Sequence, residues 1–162
     1  MAQFQPVVPQ LHHLLQITVR VAPALAVRAT ALGVRRIINI TGGHFTGQNP
    51  SGATLAGVVL PGGADWQLVR ADDVALLEAR YTLQTNDGAL IYVQNRGVRH
   101  GPPEVLAALA RGEEVDPARY YMRTTPTFET GAPQYGWLND LVAVGSGLRR
   151  ADAVVLDFYW VS

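Results

Sequence analysis

Cysteine is absent from the 162 residues, and so is lysine. The first absence removes thiolate nucleophiles, disulfides and cysteine metal sites. The second removes Schiff-base chemistry and a phosphate-loop lysine. Apart from histidine, all 13 basic residues are arginine. Arginine stays protonated, so it clamps anions and is a poor general base. Acid–base work therefore falls to Asp, Glu, His or Tyr. An excess of one charge is lacking too, since 13 basic and 13 acidic residues cancel. The arginines are scattered and form no stripe of the kind that tracks a nucleic-acid backbone, so nucleic acid is not an expected partner. No apolar run reaches the length of a membrane span, and residues 1–10 carry two prolines and no basic residue, unlike a secretion signal. The expectation is a soluble, cytoplasmic protein with no membrane contact.

What is present is apolar, at 48% of residues, and that suits one domain over residues 1–162 with a substantial core. The dominant periodicity is that of strands. Residues 11–21, 34–40, 54–60, 65–70, 75–85, 89–96, 120–129, 141–147 and 153–161 read as about nine of them. In the 75–85 run Leu77, Ala79, Tyr81 and Leu83 share one face, and Glu78, Arg80, Thr82 and Gln84 the other. Asn86-Asp87-Gly88 is a hairpin signal, because these residues accept positive φ. Thr41-Gly42-Gly43 ends or bends a strand, and residues 46–52 read as a mobile loop. Many strands separated by turns imply an all-β fold, an antiparallel barrel or a sandwich. One short helix is predicted. Pro102 and Pro103 open it, Val105, Leu106 and Leu109 form its apolar stripe, and Arg111-Gly112 stops it. A second helical turn is read at Trp137 to Asp140. The first helix is short enough to cover one end of a barrel.

The segment Pro61-Gly62-Gly63-Ala64-Asp65-Trp66 places a carboxylate and an indole at the start of an apolar strand, directly after a glycine turn. A carboxylate inside a sheet is costly unless it is paired or hydrogen-bonded. Asp65 reads either as an acid–base or ligand-anchoring group at a cavity mouth, or as an exposed Asp ending a turn beside a core Trp.

Further blocks carry a resemblance. They are residues 33–36, Gly42-Gly43-His44-Phe45, residues 58–70, Ala79-Arg80-Tyr81 and Thr85-Asn86-Asp87-Gly88-Ala89-Leu90-Ile91. Tyr120-Tyr121-Met122-Arg123, Phe128-Glu129-Thr130 and Tyr135-Gly136-Trp137-Leu138-Asn139 complete the set. In this order and spacing the chain resembles the bacterial and fungal family catalogued as domain of unknown function 3237, or uncharacterised protein family 0311. The resemblance implies a single small antiparallel β-barrel with some likeness to lipocalins, and it implies no reaction. Asp73 stands where the family usually has glycine, so this hairpin is expected to differ in turn type. Asn49-Pro50-Ser51 lengthens a family loop, which is expected to gate a cavity.

Small barrels of eight to ten strands hold one ligand. Charged residues within the strands then face either solvent or lumen. Asp65 is the candidate general acid or base, with Arg35, Arg36, Arg80 and Arg123 as possible partners. Arg123, with a tyrosine hydroxyl, is assigned to steady negative charge on a substrate oxygen. Glu129 is a second candidate carboxylate, with a structural salt bridge as its competing explanation. Trp66, Tyr81, Tyr121 and Trp137 are the candidate substrate-binding aromatics. His12 and His13, adjacent in a strand, point to opposite faces, and no histidine has metal-ligand spacing, so no metal is expected.

The function expected from this set is cofactor-independent proton transfer on a small apolar or aromatic molecule: isomerisation, cyclisation or elimination. A non-catalytic small-molecule carrier is the alternative. A module of a homo-oligomeric scaffold is a third.

Overall fold

The computed structural model describes residues 4–162. Residues 1–3, part of the stretch read above as unlike a secretion signal, lie outside them. The described chain forms β1 (Leu11–Val21), β2 (Leu25–Thr30), β3 (Gly33–Gln48), β4 (Thr54–Val59), β5 (Ala64–Val69), β6 (Ala75–Thr85) and β7 (Leu90–His100). Helix α1 (Pro103–Ala110) follows, then β8 (Tyr121–Glu129), a 3-10 segment (Pro133–Asp140), β9 (Val142–Arg149) and β10 (Ala153–Val161). Every strand pairing is antiparallel.

Eight strands close a barrel in the order β1-β10-β9-β8-β7-β6-β4-β3, with β3 pairing back onto β1. Toward one end β4 bridges β3 and β6. Past the turn at residues 60–63, β5 takes the same place between the same two strands. β2 lies outside the ring, on the free edge of the first half of β3. Among the described residues no helix is long and apolar enough to cross a membrane.

β3 runs on beyond the 34–40 stretch read from sequence, so Thr41-Gly42-Gly43 bends the strand and does not end it. It bends at Gly42 (φ 139°) and Gly43 (φ 147°), where a Cβ on Gly43 would lie 2.0 Å from the Thr18 carbonyl oxygen. Residues 46–52, expected to be mobile, instead continue β3 and then turn sharply. The Asn49 side-chain oxygen accepts from the backbone N–H of Ser51 (3.0 Å) and of Ala53 (2.8 Å), which pins the hairpin. This loop lies at the end of the barrel remote from α1. Asp73, at the position where the family usually has glycine, adopts φ 63°, in the left-handed region that glycine favours.

Inward residues alternate along most of the strands of the ring. Phe45, Phe158, Leu14, Leu15, Leu83, Ile91 and Leu138 are buried together and fill the half of the barrel away from α1. The 3-10 segment closes that end. A smaller cluster, Ala75, Leu77, Val105, Leu109, Tyr120 and Met122, seats α1 over the other end. The apolar stripe of α1 is therefore used as a lid, and the lumen is solid at one end only.

Candidate ligand site at the helix-capped end of the barrel

A cavity of about 640 Å³ lies between α1 and the barrel rim. Pro103, Leu106, Ala107 and Ala110 of α1 form one wall, with Val21 and Val69 opposite. Below it, a second void of about 50 Å³ runs into the lumen between Asp65, Tyr81, Asn95, Thr124 and apolar neighbours. Gln67 lines the upper cavity, and its side-chain N–H donates to Asp65 Oδ2 at 3.3 Å, so this pair joins the two spaces.

Strand alternation explains which residues arrive here. Asp65, Gln67 and Val69 share the inner face of β5. Ile38, Arg36 and Val34 oppose them on β3. Asn95, Gly97 and Arg99 continue the inner face of β7, and Ala143, Gly145, Gly147 and Arg149 that of β9. Glycines at positions 145 and 147 are required by bulky neighbours, since a Cβ there would lie 2.3 Å from Thr124 Oγ1 and 2.7 Å from Met122 Sδ. Three strands distant in sequence thus each project one arginine into the same cavity: Arg36, Arg99 and Arg149.

The β5–β6 ladder opens at Asp65. Its pairing runs through Asp65–Ala79 and resumes at Leu68–Leu76. In the gap the Glu78 backbone N–H donates to Asp65 Oδ1 at 2.8 Å. The Trp66 carbonyl, on the outer side, accepts Arg35 Nη1 at 2.6 Å. The glycine turn preceding β5 makes this approach possible. Gly62 sits at φ 106°, and a Cβ on Gly63 would lie 2.3 Å from the Arg80 carbonyl oxygen.

The electrostatics are unbalanced in a consistent direction. Burial pushes the Asp65 carboxyl above its ordinary value; the Glu78 N–H, the Gln67 amide and the Arg99 charge oppose this without cancelling it. Burial, then the neighbouring charges of Arg149 and Arg36, bring Arg99 down to about 10. Burial likewise lowers Arg149. The Tyr81 phenol is raised by burial and stays neutral, a donor without a partner. Arg36 Nε, Arg99 Nε, Gln67 Oε1, Asn95 Oδ1 and Thr124 Oγ1 are also buried with no partner among the described residues. Buried polar atoms are ordinarily hydrogen-bonded, so their concentration on one lumen marks it as a place built for polar contact.

The sequence candidates divide sharply. Asp65 and Tyr81 face the lumen, and of Asp65's four possible partners Arg36 alone lines the cavity. Arg123, Glu129 and Tyr121 do not join them. Odd-numbered positions of β8 point outward, and Met122, Thr124, Pro126 and Phe128 point in. Arg123 instead stacks on Tyr121 (5.2 Å to the ring centroid) on the outer surface. Glu129 borders an outer groove with Tyr92 and Asn139. Trp66 is on the outside of β5, 37% exposed, beneath Arg80. Trp137 belongs to the 3-10 segment that plugs the opposite end. Arg99, Arg149, Gln67 and Asn95 were missed. Their signal was parity: each continues an inward face already fixed by Ile91 and Val93, by Ala143, or by Asp65. Among the described residues no cluster of three or more His, Asp or Glu side chains forms; His12 and His13 bond Ser162 and Asp157 separately.

Residues 9–161 match the family model described as protein of unknown function DUF3237. The chain belongs to this family. A UPF0311 protein of Bradyrhizobium diazoefficiens is 47% identical over 145 residues, which cover 90% of this chain and 91% of that one. The crystal structure of a conserved protein of unknown function from Rhodopseudomonas palustris superposes with a TM-score of 0.88 at 43% identity, covering 97% of this chain and all (100%) of that one. At 22% identity the barrel also matches an enzyme from Penicillium herquei, with a TM-score of 0.71 over 99% of this chain and 100% of that one; this likeness is one of fold. In this DUF3237 chain the barrel is therefore a family property, and the chemistry has to be argued from the side chains that line it.

Proposed function

We propose that the helix-capped end of the barrel binds a small organic molecule and that Asp65 moves a proton on it. The observation that carries this reading is the setting of Asp65. It is the one carboxylate lining the inner void among the described residues, and its two oxygens are held by Glu78 N–H and Gln67. A carboxyl raised by burial, rigidly held and next to open space is suited to general acid–base work.

Ionised Asp65 takes a proton from a carbon next to a carbonyl, or from a hydroxyl. The electron pair left behind moves onto the substrate oxygen, and protonated Asp65 returns the proton at a second position. Isomerisation follows directly; in an elimination the enolate instead re-forms its carbonyl and expels a β-leaving group that takes the proton from Asp65, and in a cyclisation the oxygen or carbon anion attacks an electrophilic carbon of the same molecule, whose displaced electron pair takes that proton, so none of the three uses an external oxidant or reductant. Arg99 takes the charge-steadying role first assigned to Arg123, because it faces the cavity. Gln67 accommodates both states of Asp65: its N–H donates to the carboxylate, and its unpartnered Oε1 accepts from the carboxylic acid.

The test begins with a thermal-shift screen of enolisable ketones and phenols. Each hit is then incubated in deuterated water and followed by NMR. Wild-type protein is expected to incorporate deuterium at the enolisable position, and Asp65→Asn to bind without incorporation. Equal incorporation by Asp65→Asn removes Asp65 from the mechanism, and binding with no incorporation by either protein favours a carrier.

A second reading, self-association, is supported by β2. Every residue of it is exposed, including Leu25 and Val27, and its outer edge has no strand partner among the described residues. Light scattering on wild type and Val27→Lys decides it. A multimer that the lysine dissociates supports the reading, and a monomeric wild type ends it.

A further inference from the structure

The arginines that pair with carboxylates and the arginines that line the cavity are different sets. On the outside, Arg70, Arg80, Arg96 and Arg111 each pair with a carboxylate. Arg36, Arg99 and Arg149 enter no ion pair among the described residues. Burial is the usual reason for pairing a charge, and here the more buried set is the unpaired one. Arg149 is tied only to neutral acceptors, the backbone carbonyls of Arg150, Ala151 and Ala153 around the β9–β10 turn. Its own backbone N–H donates to Tyr120 Oη at 2.9 Å, which fixes the strand end. Arg36 and Arg99 each keep a buried Nε with no acceptor.

Three like charges lining one cavity cost stability unless something negative joins them: desolvation is the main cause that lowers Arg99 and Arg149, the charges of Arg149 and Arg36 add to it at Arg99, and Asp152 opposes it at Arg149. The acidic groups lining the upper cavity, Asp73 and Asp152, are exposed at its rim. The third carboxylate, Asp65, lies beneath them and is occupied by Glu78 N–H and Gln67.

We infer that Arg36, Arg99 and Arg149 are a receptor for the carboxylate of an organic acid, whose apolar body lies against Leu106, Ala107, Val21 and Val69. This rests on the reading of the α1-end cavity as the ligand site, and it names the substrate class. Guanidinium forks match a planar carboxylate in two-pronged geometry. A cavity of about 640 Å³ holds such a molecule, and its α1 wall is hydrocarbon rather than polar. An apolar or aromatic molecule, the class expected from sequence, meets these three cations only if it carries an anionic group.

The test measures binding of 2-naphthoate, its neutral amide and inorganic phosphate by calorimetry to wild type, Arg99→Met, Arg36→Met and Asp65→Asn. Arg149 is left intact because it anchors the β9–β10 turn. Naphthoate is expected to bind wild type at least about tenfold more tightly than the amide, more weakly as salt rises, and to lose about tenfold or more in each Met variant. In Asp65→Asn it is expected to bind as well as in wild type or better. Equal affinity for amide and naphthoate, or Met variants that bind naphthoate like wild type, overturns the proposal. Phosphate binding as tight as naphthoate overturns the carboxylate assignment. Circular dichroism on each variant separates lost binding from lost fold. The two readings fail separately. Naphthoate binding without deuterium exchange in any hit leaves the receptor and removes the proton transfer. Asp65-dependent exchange on a neutral ketone, with no naphthoate binding, does the reverse.

Discussion

The Asp65 carboxylate accepts the backbone N–H of Glu78 at 2.8 Å, in the gap where the β5–β6 ladder skips two pairs. A side chain has replaced a main-chain partner inside a sheet. That substitution satisfies Glu78, brings a carboxyl to the lumen and fixes it within an opened stretch of β-structure. Several measurable consequences follow from this and from its neighbours.

Asp65→Asn is expected to change the pH dependence of stability. Burial raises the folded-state pKa of Asp65 above the ordinary 3.8, so the native state holds this proton to higher pH than the unfolded chain. Its contribution is full below the unfolded value and is lost as pH rises through the folded one. Asn accepts from Glu78 in the same way and carries no charge. The variant should melt at or above wild type at pH 7, with the difference closing toward pH 3, as read by thermal unfolding across that range. A variant that melts below wild type by the same margin at every pH contradicts the assignment.

Gln67→Leu removes the amide that donates to Asp65 and with it the unpartnered buried Oε1. The carboxyl loses one of the groups holding its pKa down, so its titration should move higher still. Stability should change by no more than about 1 kcal/mol, because one lost bond and one relieved orphan oppose each other. A carbon-13 NMR titration of the Asp65 carboxyl checks the first claim and urea unfolding the second.

Tyr81→Phe deletes a hydroxyl that is buried at 3% exposure and has no partner. Without ligand the variant should be as stable as wild type or up to about 1 kcal/mol more stable. Denaturant midpoints decide this, and a marked loss of stability would mean that the hydroxyl is satisfied in solution.

Gly63→Ala should destabilise by about 2 kcal/mol or more, since its Cβ would meet the Arg80 carbonyl oxygen at 2.3 Å and Tyr81 at 2.8 Å. Gly131→Ala, with nothing within 4 Å of the new methyl, is the control and should unfold close to wild type. The same midpoints measure both.

Reading the sequence succeeded where one face of an element is buried. The alternation of Leu77, Ala79, Tyr81 and Leu83 is the inner face of β6 as it stands in the barrel, and the proline-opened helix runs from Pro103 to Ala110. It failed at β2, where all six residues are exposed and no alternation exists to be read. It failed also on β8. Tyr121 and Arg123 do share a face, but which face is inward depends on Met122 and Thr124 meeting the glycines of β9, a contact no local pattern records.

By itself the sequence determined the all-β character, the hairpin turns, the short helix and the identity of Asp65 as a carboxylate needing a partner. These depend on residues within a few positions of one another. The tertiary structure alone decided that the α1 end of the barrel keeps a cavity while the other is filled, and that Arg36, Arg99 and Arg149 line it. The physical reason is closure. A strand's period of two offers two faces, and only the register of eight strands around a ring selects the inner one and brings distant cations to one cavity.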